Sequence, residues 1–310
     1  MKSFITKAFL FITGYIILFA AIILIMPKSK GTSYIIYNEK IRLVKETPSP
    51  RIIFVSGSSL YTSLDSKRIQ DSLRRNVVNY GFHAGIGLRY MIDDVSQYVR
   101  KGDVIVIAPE YPQFYNGVMN GNPETLGPLM FYTGFRNITH MNKAQFMNVI
   151  TGLPYILKVN LVDGLIRNEL KGIHPTLSSY MNMYGDEESH WSFKGKLPIV
   201  TKASDEPKSL DTDFCLWMAN KMKEMSKKGA KVILMPSVIR ETAFKIEKKR
   251  ADEIGRFFVK QGFPYISDPK NHMLPDNCAW NSDYHMNYEG VTKNTNIIIK
   301  ILKDILQNNN

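Results

Sequence analysis

The chain of 310 residues contains only two cysteines, Cys215 and Cys278. This scarcity excludes a disulfide-dense fold and a cysteine-rich zinc site. The two thiols can pair or stay free, so they do not indicate the redox compartment. The sequence also has no repeat with a period of 20–50 residues, which excludes a solenoid or a propeller. Aromatic residues make up 11% of the chain, and this apolar content is enough to bury a real core in one large domain or two small ones.

Acidic residues are outnumbered by basic ones, 28 against 40, which gives a net charge of +12. No zinc finger, RNA-binding signature or dense basic helix accompanies this charge, so nucleic acid is not predicted as a partner. The basic residues are spread along the chain. We interpret them as a solvated surface that favours anionic lipid or an anionic glycan.

Residues 8–26 carry no charged side chain. A helix of this length spans about 28 Å, close to the hydrocarbon thickness of a bilayer. A cleaved signal peptide is the alternative, because Lys2 and Lys7 precede the run, but the run is long for a signal peptide and no small-residue cleavage site follows it. We therefore predict a single-pass anchor over 7–26 in the cytoplasmic membrane. The residues around it are predicted as a cytoplasmic stub (1–6), a tether (27–48) and an extracytoplasmic domain (49–310).

The rest of the chain alternates short apolar runs with helical patterns. Strands are predicted over 51–57, 76–80, 103–108, 231–235 and 264–267. Residues 112–204 interrupt this rhythm and are predicted to form a helical insertion or cap. The alternation predicts an α/β fold, a three-layer sandwich around a five-stranded parallel sheet.

Polar and small residues follow the predicted strands. Ser58 follows the first strand, Gly85 the second and Glu110 the third, and Asp283 and His285 lie beyond the fifth. Because the carboxyl ends of parallel strands meet at one edge of a sheet, we expect these residues to converge there. A serine, a histidine, an acid and backbone N–H groups are the set that acyl transfer requires.

These motifs resemble those of the SGNH or GDSL-type hydrolase superfamily, most of all membrane-anchored bacterial members that modify polysaccharides with acyl groups. Ser56-Gly57-Ser58 resembles the family's nucleophile block, NYGFHAG at 79–85 its oxyanion-glycine block, and DYHMNYEG at 283–290 its acid and base block. The resemblance covers about residues 51–305 and implies a flavodoxin-like SGNH fold. It implies Ser58 as the nucleophile with Ser59 as second choice, and Gly85 as an oxyanion donor with Gly81 as second choice.

Two positions depart from the family pattern. The third strand ends in Ala108-Pro109-Glu110, where the family has Gly-x-Asn-Asp, and a carboxylate cannot donate to an oxyanion as asparagine does. We therefore expect Glu110 to turn away and bind Arg89, Arg100 or a sugar hydroxyl, and we assign it with Asn287 to substrate binding. Asp283 precedes His285 by two residues, whereas the family's acid precedes its histidine by three.

The resemblance thus implies a serine esterase or O-acyltransferase that acts on acyl groups, in particular acetyl, of an extracytoplasmic polysaccharide. Ser58, His285 and Asp283 would form the triad, and the N–H groups of Ser58 and Gly85 would hold the oxyanion. No cofactor or metal is expected. A transferase would receive its acyl group from a separate polytopic membrane acyltransferase. The alternative is a non-catalytic glycan-binding or scaffolding protein that has kept the fold.

Overall fold

The computed structural model describes residues 2–25, 32–162, 166, 180–193, 197–201, 203 and 209–307. The strands are β1 (Arg51–Ser56), β2 (Asn76–Gly81), β3 (Val104–Ile107), β4 (Lys231–Leu234), β5 (Ile239–Arg240) and β6 (Met273–Leu274). The α-helices are α1 (Lys2–Ile25), α2 (Thr32–Glu46), α3 (Ser58–Ser63), α4 (Ser66–Leu73), α5 (Leu88–Ser96), α6 (Pro123–Tyr132), α7 (Lys143–Val159), α8 (Thr212–Lys227), α9 (Glu241–Lys260) and α10 (Tyr288–Gln307).

Four strands form one parallel sheet in the order β2-β1-β3-β4. Ile53 of β1 lies opposite Val78 of β2 and Ile105 of β3. Successive β1 side chains point to opposite faces of the sheet. Ile53 packs in a core with α5 and α8, whereas Ile52 and Phe54 pack in a second core with α4 and α10. The sheet is therefore covered by helices on both faces, and the α/β class is as predicted.

The prediction of a fifth strand in this sheet is wrong. Within the predicted segment 264–267, Tyr265 forms a single parallel bridge with Leu234 of β4, and the Ile266 N–H donates to the Leu234 carbonyl. Pro264 begins the segment and Pro269 follows it closely, and proline lacks the N–H group that a strand ladder requires. In the part of the chain that the structure describes, β5 and β6 form a separate two-stranded parallel sheet.

The predicted transmembrane anchor over 7–26 is also wrong. Residues 2–25 do form a helix, α1, and large apolar side chains on it such as Phe9 and Phe11 are exposed. Among the described residues, however, no helix has the length and apolar character that crossing a membrane requires. Because α1 begins at Lys2, the charged Lys2 and Lys7 are part of the helix rather than a flank that precedes it.

The segment 27–48, predicted as a tether, contains a helix that packs on the domain. Tyr37, Ile41 and Val44 of α2 are buried in the core next to α5. Their spacing of three and four residues places them on one face of the helix. The tether prediction missed this face because charged residues on the opposite face dominate the composition. The domain therefore extends to α2.

The buried face of α2 also carries a lysine. Lys40 has no exposed surface, and its Nζ donates to the carbonyls of Asn79 (2.9 Å) and Gly185 (2.7 Å). Burial lowers the pKa of Lys40 from its ordinary value of 10.5, and the nearby Asp186 carboxylate opposes that shift. The bonds of Lys40 join α2 to the end of β2 and to the segment around residue 185.

This burial predicts a pH-dependent stability. Between the lowered pKa and 10.5, the unfolded chain binds more protons than the folded protein, so the stabilisation from Lys40 rises with pH. We expect Lys40→Met to lower the free energy of unfolding by an amount that increases from pH 8 to pH 10, at most by about 1.4 kcal/mol per pH unit. Urea denaturation of wild type and variant at both pH values measures this. The exposed Lys45→Met on the same helix is the control, and an equal pH dependence for both variants would contradict the prediction.

The described part of 112–204 contains α6 and α7, which pack against each other. A Cβ on Gly127 would lie 2.6 Å from the Cα of Gly152, and a Cβ on Gly152 would lie 2.2 Å from the carbonyl oxygen of Pro123. Both distances are too short for real atoms. Glycine is therefore required at both positions for the two helices to approach this closely.

Candidate active site

Ser58 is the first residue of a helix at the carboxyl edge of the sheet. β1 ends at Ser56, Gly57 is the N-cap residue, and α3 begins at Ser58. A Cβ on Gly57 would lie 2.9 Å from Oε1 of Glu110, so a larger residue here would displace the Glu110 carboxylate from its place beside the turn. Ser58 is 8% exposed. The hydroxyl is thus largely enclosed by the protein.

The imidazole of His285 contacts Ser58 directly. Its Nε2 is 2.8 Å from the Ser58 Oγ. The backbone on both sides of His285 is tied to α3, because Ser63 Oγ donates to the Tyr284 carbonyl (3.1 Å) and accepts from the Met286 N–H (3.0 Å). The histidine is therefore held at a fixed distance from the helix that carries the serine. The structure brings the predicted nucleophile and base together.

The other ring nitrogen of His285 faces an asparagine. Nδ1 is 2.7 Å from Oδ1 of Asn281. An amide oxygen accepts a hydrogen bond, so it selects the tautomer in which Nδ1 carries the proton. The lone pair of Nε2 then points at the Ser58 hydroxyl, as a general base requires. Sequence reasoning missed Asn281, and its position four residues before His285 in the same loop was the available signal.

Asp283, the predicted orienting acid, has other partners. Its Oδ1 accepts from Nε of Arg240 at 2.7 Å, and its Oδ2 accepts from the Ala203 N–H at 2.9 Å. The Arg240 N–H also donates to the Asp283 carbonyl. The aspartate is fully buried, and its carboxylate is neutralised by the guanidinium. These contacts give Asp283 the role of an anchor for β5, while Asn281 occupies the orienting position.

Glu110 points from the end of β3 toward the nucleophile helix. Its Oε1 accepts from the Ser59 N–H at 3.0 Å and is 3.3 Å from the Ser58 Oγ. N–H groups in the first turn of a helix have no partner inside it, and negative charge is favourable there. Glu110 therefore caps α3 from the segment that follows β3, next to Ser58.

The two arginines expected to bind Glu110 lie elsewhere. The Arg89 guanidinium stacks 4.3 Å above the ring of Trp217, and Arg100 donates to the carbonyls of Lys45 and Thr47. The expectation of an ion pair with either arginine is wrong. The strand end places Glu110 against α3 instead.

The two predicted oxyanion donors differ in their surroundings. The Ser58 N–H is at the first position of α3, where no intrahelical partner exists. The Gly85 N–H donates to Nδ1 of His83 at 3.0 Å. Gly85 can therefore serve an oxyanion only when His83 releases this hydrogen bond, so its predicted role stays a prediction.

Gln113, three residues after Glu110, is a further polar residue beside the nucleophile turn. It is 1% exposed, and neither its Nε2 nor its Oε1 has a hydrogen-bond partner among the described residues. Its Nε2 is 3.2 Å from the position that a Cβ on Gly57 would take. Sequence reasoning did not single out Gln113, and its place after β3 was the only signal.

Asn287 caps α10, the helix that follows His285. Its Oδ1 accepts from the Gly290 N–H (3.1 Å), and its Nδ2 donates to the Asn277 carbonyl (2.7 Å). Asn287 also lines a cavity of about 560 Å³, and several of the other lining side chains are aromatic. The cavity is lined by Phe193, Leu197, Ile199, Asp276, Asn277, Ala279, Trp280, Asn287, Tyr288 and Glu289. The amide of Asn287 is thus used by the fold, and its assigned contact with substrate stays a prediction.

No protein-family model matches the chain, and no curated protein matches its sequence.

Over the described ranges, no three His, Cys, Asp or Glu side chains are grouped to hold a metal ion. In the acidic segment 186–190, Asp186 is buried and accepts hydrogen bonds from Ser66 and Asn79. The alternatives left open for the two cysteines are resolved, since Cys215 and Cys278 are both buried free thiols.

Proposed function

We propose that the protein is a serine esterase or O-acyltransferase of the SGNH type. The single observation that carries the proposal is the array Ser58–His285–Asn281, in which each member is hydrogen-bonded to the next. Its two contacts measure 2.8 Å from Oγ to Nε2 and 2.7 Å from Nδ1 to Oδ1. A hydroxyl, a base in the correct tautomer and a group that fixes the base are the elements of nucleophilic acyl transfer.

The reaction follows from this array. Nε2 of His285 takes the hydroxyl proton while Oγ of Ser58 attacks the acyl carbon, and the carbonyl oxygen becomes an oxyanion. His285 then returns the proton to the leaving alkoxide, which leaves an acyl ester on Ser58. A second hydroxyl group, activated by the same imidazole, attacks that ester and frees the serine. Water at this step makes the protein an esterase, and a sugar hydroxyl makes it an acyltransferase.

The oxyanion is best held at the Ser58 N–H. An ionised carboxylate 4 Å from an oxyanion would oppose it by about 4 kcal/mol at an effective dielectric of 20. Because Glu110 lies 3.3 Å from Oγ, we place the oxyanion on the side of Oγ that faces away from it. Glu110 then acts by holding the first turn of α3 in position.

Labelling with a fluorophosphonate tests the proposal. The reagent forms a bond between phosphorus and the Ser58 Oγ and releases fluoride, so intact mass and peptide mapping identify the labelled residue. We expect one label on Ser58 in the wild type, none in Ser58→Ala and a strongly slowed reaction in His285→Ala. A panel of acetyl, butyryl and longer acyl esters on sugar and non-sugar alcohols then defines the substrate. Preference for acetylated sugars would support the glycan substrate that the resemblance implies.

The non-catalytic alternative also has an observation in its favour. The position after β3 offers a carboxylate, Glu110, where an amide donor would assist an oxyanion. A scaffold with the same fold tolerates this charge beside the serine. Absence of fluorophosphonate labelling in the folded wild-type protein, together with binding of a glycan, would support this alternative. It would contradict the proposal that the protein is a serine esterase or acyltransferase.

The role of Glu110 is testable by substitution. Glu110→Gln keeps an oxygen acceptor for the Ser59 N–H and removes the charge. We therefore expect an esterase rate within about tenfold of the wild type, less than the 10²–10³ loss typical when an oxyanion donor is removed. Glu110→Ala removes the acceptor, and the displaced nucleophile should lose on the order of 10²-fold in kcat. A different result would identify Glu110 as a protonated group that donates to the oxyanion. In that case the wild-type activity falls steeply as pH rises, and Glu110→Gln restores the activity at high pH.

A further inference from the structure

A histidine outside the catalytic array contacts the loop that carries the array. His190 is 3% exposed. Its Nε2 is 2.9 Å from the carbonyl oxygen of Met286, and its ring stacks on Trp280 with centroids 4.1 Å apart and an interplanar angle of 18°. Met286 follows His285 in the sequence, and Trp280 precedes Asn281. His190 therefore touches the immediate neighbours of both the base and its orienting residue.

The segment that carries His190 is fixed to the core of the domain. Asp186 accepts from the N–H and the hydroxyl of Ser66, at 2.8 and 2.6 Å, and from Nδ2 of Asn79 at 2.8 Å. The Gly185 carbonyl accepts from Lys40 of α2. These bonds fix the segment that carries His190 to the core of the domain. His190 can therefore restrain the loop that carries Asn281 and His285.

The second nitrogen of His190 is held by a carboxylate. Nδ1 is 2.6 Å from Oε2 of Glu187. Burial raises the pKa of Glu187, but hydrogen bonds from His190 and Ser189 outweigh that effect, and its pKa lies below the ordinary value. The ionised Glu187 therefore fixes the ring plane that faces Trp280 and Met286. A ring held at both nitrogens and on one face has no freedom to rotate.

We propose that His190 is a positioning residue that holds the loop over residues 280–286, so that the lone pair of His285 Nε2 stays aligned with the Ser58 hydroxyl. The inference rests on the proposed function, because alignment matters only if the array reacts. His190 does not contact Ser58 or the acyl group in this mechanism. Its loss should therefore lower the rate of the chemical step and leave substrate binding nearly unchanged.

The test compares two buried histidines. His272 is 1% exposed and bonds to the Ser267 hydroxyl at 2.8 Å through Nε2, outside the catalytic array, so His272→Ala reports the cost of removing a core histidine. We expect His190→Ala to lower kcat and the fluorophosphonate labelling rate by on the order of 10²-fold, with KM changed less than about threefold. His272→Ala should leave both rates near the wild type even when thermal unfolding shows a similar loss of stability.

A conservative variant keeps the test decisive if His190→Ala does not fold. The glutamine amide reaches about as far as Nε2 and can donate to the Met286 carbonyl, so His190→Gln should recover most of the rate, within about tenfold of the wild type. Equal labelling rates for wild type and a folded His190→Ala would overturn the inference while leaving the proposed function intact. Failure of the wild type itself to label would instead overturn the proposed function.

Discussion

Replacing Ser58 by alanine is expected to remove nearly all esterase activity, and His285→Ala should have the same effect. The two side chains act as one unit through the 2.8 Å contact between Oγ and Nε2. Loss of either should lower kcat by about 10⁴–10⁶-fold, and the double variant should lose no more than the stronger single variant. Steady-state kinetics on an acetyl ester that the wild type turns over measures all three.

The neighbouring serine is the matched control for this prediction. Ser59 is fully buried, and its hydroxyl bonds to the Ser56 hydroxyl at 2.9 Å instead of to an imidazole. Ser59→Ala should therefore keep activity within about tenfold, as expected for one lost neutral hydrogen bond. If Ser59→Ala is inactive while Ser58→Ala remains active, the assigned nucleophile is wrong by one position.

The parts of the fold that follow from local sequence patterns were predictable. A strand buried on both faces is a continuous apolar run, so β1 at Arg51–Ser56 and β3 at Val104–Ile107 are visible in the sequence. Because parallel strands end at the same edge, the predicted strand order also led us to expect Ser58 and His285 to meet. They do meet, although the fifth strand on which the place of His285 rested is only a single bridge at Tyr265. The topology therefore accounts for the place of Ser58, whereas His285 is brought to it by the bonds of Ser63 to the neighbouring backbone.

Features that depend on distant partners were not predictable in this way. A lysine is expected to be solvated, and the burial of Lys40 is compensated by the carbonyls of Asn79 and Gly185, which accept from its Nζ, and by the nearby Asp186 carboxylate. Asp283 lies two residues before His285 in the sequence, but Arg240, 43 positions earlier, binds its carboxylate. A local motif gives the order of residues in a loop and does not give the side-chain pairs that the folded chain selects.

The choice between Asn281 and Asp283 leads to the second large expected effect. Asn281→Ala removes the acceptor 2.7 Å from Nδ1 of His285, so neither the tautomer nor the ring orientation stays fixed. We expect kcat to fall by about 10²–10⁴-fold, in the range known for loss of the orienting residue of a triad. Asp283→Asn breaks the charge pair with Arg240 and should lower the free energy of unfolding more than it lowers kcat. Measuring kinetics and urea denaturation on both variants separates these two effects.

The charge of the orienting group gives an independent check through the pH–rate profile. Asn281→Asp places a carboxylate against Nδ1, which favours the imidazolium and raises the pKa of the base. Because the base must be neutral to accept the serine proton, the acidic limb of kcat/KM should move to higher pH in Asn281→Asp, by one unit or more for a contact of this length. Asp283→Asn should move that limb less than Asn281→Asp does, because the Asp283 carboxylate is bonded to Arg240 at 2.7 Å and Asn281 is the residue bonded to Nδ1. A shift of the acidic limb to lower pH in Asp283→Asn, with no shift in Asn281→Asp, would assign the orienting role to Asp283 and contradict the array derived from the structure.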